Sequence, residues 1–221
     1  MNISKIPKLS LEILKRNSKN YDQLTDEQIL DYFKCDYDIF SLPKLPDEDI
    51  GLSIIKDTIS KNELILIYTD YDCDGLSGAA IAHKALKNKC DNYMVVHNKR
   101  VNGNGFREPV MDNIKKIHSK TPISLLISCD HGSNDIKSVD EMHAMGIKNV
   151  IITDHHTITT TGTTNADAFI NPQRDCPELM WMCGAHVIFK LLSGLYIEDS
   201  KDYVFDNLYK PCLPHAALAT I

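Results

Sequence analysis

The stretch Leu64-Ile65-Leu66-Ile67-Tyr68-Thr69-Asp70-Tyr71-Asp72-Cys73-Asp74-Gly75 decides how this chain is read. A short, continuous apolar run suits a strand buried on both faces. It ends in three acids at alternate positions. Alternate residues of an extended segment point the same way, so Asp72 and Asp74 are aimed into one cavity. The pattern recurs twice. Leu125-Leu126-Ile127-Ser128-Cys129 runs into Asp130-His131-Gly132, and Val150-Ile151-Ile152 is followed by Asp154-His155-His156. In open parallel sheets, ligands bind at the carboxyl ends of the strands. Carboxylates gathered there repel one another at low dielectric unless divalent cations sit between them. A lone Asp-x-Asp is usually a helix cap and a lone His-His is usually packing. Three such elements at successive strand ends point instead to a two-metal hydrolytic site. Oxygen ligands suit Mg²⁺ and Mn²⁺, and imidazole suits the softer Mn²⁺. Asp130 is placed to bridge two ions and His155 to supply a nitrogen, with Gly75 and Gly132 allowing tight turns.

Outward from these ends, apolar runs alternate with helical patterns. Strands are expected at Leu64–Tyr68, Tyr93–His97, Ser124–Cys129, Asn149–Thr153 and Ala168–Ile170. Helices are expected at Ser77–Lys89, Phe106–Ser119, Ser133–Met145 and Met182–Leu195. This alternation predicts an α/β fold: an open, mainly parallel five-stranded sheet with helices on both faces. Residues 1–60 read as a helical N-terminal extension packed on a core of residues 61–221. Within it Leu9–Lys15 is amphipathic, Thr25 and Gln28 form a capping pair, and Leu42-Pro43-Lys44-Leu45-Pro46 is an extended linker before a helix over Asp47–Ser60. Thr157–Asn165 is a polar loop, and the lysines at 84, 87 and 89 read as a solvated face.

A chain of 221 residues, 43% hydrophobic and 24% charged, has ordinary globular composition. Its formal charge of −6 argues mildly against strong non-specific binding of polyanions, although bound cations would offset that locally. Seven cysteines without a C-x-x-C pair make a zinc ribbon an unsuitable reading and suggest reduced core thiols. With no signal-peptide pattern and no apolar run long enough to span a bilayer, a cytoplasmic protein without a membrane partner is expected.

The three motifs together resemble the DHH phosphoesterase superfamily, most of all its RecJ-type single-strand exonucleases. Asp154-His155-His156 matches the signature that names the superfamily. Ile67 to Gly75 resembles its first motif and Asp130-His131-Gly132 its second. Asn171-Pro172-Gln173-Arg174-Asp175-Cys176 and Cys183-Gly184-Ala185-His186 are similar to the RecJ-type segments that follow. The resemblance implies that Asp72, Asp74, Asp130 and His155 hold two divalent cations, Mn²⁺ first and Mg²⁺ second, with Asp130 between them. It places His156 at the scissile phosphate and Asp70 and Asp154 in support of turn and imidazole geometry. The segment Lys99 to Arg107 resembles a substrate-contacting stretch. Arg100 and Arg107 would pair with phosphate, Gly105 would let backbone amides approach it, Phe106 would stack a base, and His131 would add a phosphate contact or fill space.

Four positions depart from the family pattern. Tyr68 stands where some relatives carry a ligand His, His131 where Asn is common, and His186 where a glycine is usual. Ala217-Leu218-Ala219-Thr220-Ile221 looks like the opening of a fourth motif whose acid would follow. A truncated or split reading frame is therefore expected, with a second domain or a separate chain completing the site. The activity implied is 5′-to-3′ exonucleolysis of single-stranded DNA in repair or recombination. Two alternatives stand beside it: a phosphodiesterase on small nucleotides (oligoribonucleotide, cyclic dinucleotide or phosphoadenosine phosphate), and an inactive binding or scaffold module.

Overall fold

The structure, a computed structural model, describes residues 11, 15, 21–26, 29, 39–159 and 164–220. The chain forms two compact units, Met1–Ile39 and Phe40–Ile221. In the first, Leu11, Lys15, Asp26 and Ile29 are helical, and the Ile29 amide donates to Thr25 O at 2.9 Å. Gln28, half of the expected capping pair, lies outside the described residues. The second unit begins well before the expected division at residue 60. Helix α1 (Glu48–Ser60) belongs to it, because Gly51, Ile55 and Thr58 are buried on one side of that helix. A Cβ at Gly51 would lie 2.9 Å from Ile170 Cδ1, so an alanine there would require that methyl group to shift.

Five strands, β1 (Leu64–Thr69), β2 (Tyr93–His97), β3 (Ile123–Cys129), β4 (Asn149–Thr153) and β5 (Ala168–Ile170), form one sheet in the order β2-β1-β3-β4-β5. Every neighbouring pair is parallel. Leu66, Leu126 and Val150 pair across three strands and share one face. There they meet Val110 and Ile114 of α3 (Glu108–Lys120) and Val139 and Met142 of α4 (Ile136–Ala144). Ile67, Ile127 and Ile151 share the opposite face, which α1, α2 (Cys73–Leu86) and α5 (Gly184–Ser193) cover. With helices on both sides, all six residues of β1 are buried, as its unbroken hydrophobicity requires. Edge strand β2 is only half-buried.

Local chemistry sets the helix starts. Asp72 is the N-cap of α2, its Oδ1 accepting from the Gly75 amide at 3.0 Å, so the helix opens at Cys73 rather than Ser77. Asp135 Oδ2 takes the Phe106 amide at 3.0 Å and delays α3 to Glu108. Asp154 Oδ2 takes the Ser133 amide at 3.0 Å, and α4 starts at Ile136 instead of Ser133. The chain closes with α6 (Lys201–Val204), a five-residue π turn (Phe205–Tyr209) and α7 (Lys210–Ala219), which packs on α2. Lys89 is not part of a solvated face: its Nζ sits 2.5 Å from Asp199 and over the ring of Tyr196. Among the described residues, no helix is long and apolar enough to cross a membrane.

Candidate metal centre

The residue that follows each of β1, β2, β3 and β4 stays in the ladder. The amides of Asn98, Asp70, Asp130 and Asp154 donate to Thr69 O, Cys129 O, Thr153 O and Ile170 O at 2.8–3.1 Å. With Asn171 after β5, they form a buried polar row along the carboxyl edge of the sheet. The row places three carboxylates side by side on rigid backbone. Asp130 also adopts φ 66°, a left-handed conformation rare for any residue but glycine and a form of strain that collects at functional sites.

Asp130 is the centre of the arrangement. His155 Nε2 lies 3.3 Å from its Oδ1 and 3.4 Å from Asp74 Oδ2. Two sets of side chains bring one ligand atom each within 4.8 Å of one another: Asp130, His155 and His156, and Asp70, Asp72 and Asp130. Both contain Asp130. Its Oδ1 is buried without a hydrogen-bond partner among the described residues, an atom that desolvation leaves costly unless a cation meets it. Burial first, then the charges of Asp74, Asp72 and Asp154, push its carboxyl up to about 10. The donor set thus fits divalent cations. The four expected ligands are gathered, and Asp70, expected only in support, stands among them.

Asp74 is held from behind. Its Oδ2 accepts from the Gly184 amide at 2.7 Å and its Oδ1 from the Ala185 amide at 2.8 Å, at the N-terminus of α5. Each oxygen keeps a further lone pair. Gly184 must be glycine, since a Cβ there would fall 2.5 Å from Asp130 Oδ1.

Asp154 organises the His-His pair. Its Oδ1 accepts from the amides of His155 and His156 at 2.7 and 3.2 Å and faces His156 Nδ1 at 2.8 Å. This contact raises His156 to about 9, so its imidazole carries a proton at neutral pH. Against the cost of its own burial, the same hydrogen bond and charge hold Asp154 well below the usual carboxylate range. Asn171 completes the frame, donating to Ser133 Oγ at 2.8 Å and to His156 O at 3.0 Å. The sequence reading gave no role to Ser133, and none to Asn171 beyond the resemblance. The signal for Asn171 was its place: it follows its strand as the acids follow theirs.

The expected substrate contacts separate. Arg100 is exposed, with its guanidinium 5.9 Å from the centre of the Tyr71 ring, and it lines one cavity together with Asp72. Gly105, at φ 82°, lines a second with Asp130 and His156. Arg107 turns its Nε to Asn104 O at 3.1 Å. Phe106 is no base-stacking platform, being 3% exposed in the hydrophobic core. His131 packs against it at 4.5 Å between centroids and bonds Tyr68 O through Nε2 at 3.0 Å. A carbonyl accepts, so Nε2 carries the hydrogen. Burial keeps the ring neutral, which removes His131 as a cationic phosphate contact. His186 is buried as a packing residue beneath Trp181.

Residues 64–220 match the model of the DHH family, N-terminal domain. The chain is 28% identical over 149 residues to the single-stranded-DNA-specific exonuclease RecJ of Dickeya dadantii, covering 66% of this chain and 25% of that protein. It is 32% identical over 103 residues to the RecJ of Bacillus subtilis, covering 46% and 12%. The chain thus spans a quarter or less of the curated relatives it matches. A solved structure of exonuclease RecJ bound to manganese superposes with a TM-score of 0.64 at 24% identity, over 83% of this chain and 43% of that one. The likeness at that identity is one of fold.

Proposed function

This chain belongs to the DHH family, and from that premise we propose that it is the catalytic part of a metal-dependent phosphodiesterase that degrades single-stranded DNA from its 5′ end in the manner of RecJ. The observation that carries the reading is the pair of ligand sets sharing Asp130, whose buried Oδ1 has no hydrogen-bond partner among the described residues. Asp72, Asp74, Asp130 and His155, with Asp70 and His156 adjoining, would hold two divalent cations, Mn²⁺ in preference to Mg²⁺. Held by these residues, divalent cations would supply Lewis acidity toward a phosphoryl oxygen and toward the attacking water.

The chain's own groups do the rest. Asp154 keeps His156 protonated by taking its Nδ1 hydrogen, which leaves the Nε2 hydrogen to be donated to a phosphate oxygen. Arg100 offers a second cationic donor above Tyr71. The ladder bonds of Asp70, Asp130 and Asp154 fix the carboxylates before substrate arrives. A covalent route through Cys183 is unsuitable, because burial pushes its thiol up to about 12.

The test is hydrolysis of 5′-labelled and 3′-labelled oligothymidylate, and of a dinucleotide, by the full chain with Mn²⁺. Mononucleotides released from the 5′ end, abolished by Asp130→Ala, support the reading. Turnover of the dinucleotide alone would favour a small-nucleotide enzyme. Mn²⁺ binding without hydrolysis of either substrate would favour a scaffold role.

A further inference from the structure

A third cavity, of about 760 Å³, opens on the far side of the loop at residues 97–102. It lies between the exposed edge strand β2 and α3, and its volume falls in the range of small-ligand sites. At its base the Tyr68 hydroxyl, on a side chain 2% exposed, accepts from Asn113 Nδ2 at 3.3 Å. An accepting hydroxyl still has its own hydrogen to give. Lys99, Lys115 and Lys116 stand around the opening. Asp112 lies among them, 3.8 Å from Lys115, so positive charge is in excess. Lys99 and Lys116 have no ion-pair partner among the described residues. His97 and Lys99 also line the cavity that contains Asp72 and Arg100, so one loop separates the two spaces.

We propose that the groove between β2 and α3 holds backbone phosphates of the single strand beyond the scissile bond, with Lys99, Lys115 and Lys116 as its cationic contacts and Tyr68 as a donor at its floor. The proposal rests on the nuclease reading and adds where the strand runs. It gives a chain of net negative charge a local basic track to the carboxyl edge of the sheet. A strand that crosses the 97–102 loop spans both cavities. A dinucleotide at the metal centre reaches only one.

Fluorescence anisotropy tests this with labelled oligothymidylates of about 4 and about 16 nucleotides, within the site sizes typical of single-strand grooves. Lys115→Gln/Lys116→Gln is compared with the unaltered full chain over a salt series. Two lost phosphate contacts should flatten the slope of log affinity against log salt by about 1.4, equivalent to about 25-fold weaker binding of the longer strand at 0.1 M salt. The shorter strand should bind both proteins alike. If the unaltered chain binds the longer strand and the double variant matches it in affinity and slope, the groove assignment falls alone. If the unaltered chain binds neither strand, the single-strand reading falls with it. Thermal melting and far-ultraviolet dichroism of the variant separate lost charge from lost fold.

Discussion

Asp74 and Gly184 are joined by a 2.7 Å hydrogen bond from the amide that opens α5 to a carboxylate in the first turn of α2. A ligand of the candidate centre is thereby aimed by a helix 110 residues away in sequence. The same glycine leaves room for Asp130.

Gly184→Ala therefore strikes two carboxylates at once. The added methyl should cost about 1–3 kcal/mol of stability through overpacking. It should also weaken Mn²⁺ binding by displacing Asp130 and loosening Asp74. Mn²⁺ titration followed by electron paramagnetic resonance, beside a urea denaturation curve, separates the two effects. An alanine variant with unaltered Mn²⁺ affinity would contradict the geometry.

Asp130→Asn offers the opposite case. In the metal-free protein burial keeps this carboxyl protonated at neutral pH, and an amide of the same shape replaces it at little cost. The apo variant should melt within a few degrees of the unaltered chain or above it. Saturating Mn²⁺ at about 100 times its Kd should add about 2.7 kcal/mol to the unaltered chain and far less to the variant. Calorimetric scans with and without Mn²⁺ give both quantities.

Stability of the apo protein should depend on pH in a stated direction. Asp130 is raised from 3.8 to about 10, so the folded state holds a proton that the unfolded state has lost between those values. Stability then falls as pH rises, by at most about 1.4 kcal/mol per pH unit. His156 adds a contribution that is complete below 6.5 and lost as pH rises through about 9, reduced by its partial exposure. Asp154, depressed, contributes above 3.8 and loses that contribution as pH falls. The urea midpoint should be higher at pH 5 than at pH 8.5, and Asp130→Asn should flatten the decline.

Asp154→Asn tests the histidine frame. The substitution removes the charge that protonates His156, whose titration should move from about 9 toward 6.5. Imidazole proton resonances followed against pH measure this directly. Asparagine keeps one acceptor oxygen for the His155 and His156 contacts, but its amide nitrogen would face the Ser133 amide in place of Oδ2, which should also cost about 1–3 kcal/mol.

The strands were legible because both faces of the sheet are covered: Leu64–Ile67 and Val150–Ile152 carry no polar residue that would blur them. Helix starts were displaced wherever a long-range carboxylate captured an amide, as Asp135 does at Phe106 and Asp154 at Ser133. Local spacing holds no trace of a partner about 20–30 residues away. The helical close at 201–219 was not anticipated. Pro211 occupies the opening turn of α7 and Pro214 is accommodated within it. At the centre, the candidate ligands were readable as residues at or just beyond strand ends. The burial of Phe106 and His131 was not, since an aromatic after a Gly-rich loop looks the same in sequence whether it faces solvent or core.

Because Asp70, Asp130 and Asp154 are bonded into the sheet through their own amides, this wall of the candidate cation site needs no folding of its own. Loading should surrender little chain entropy. Amide exchange at these three positions should be as slow in the apo protein as in the strand interiors, so that the ions enter a finished seat.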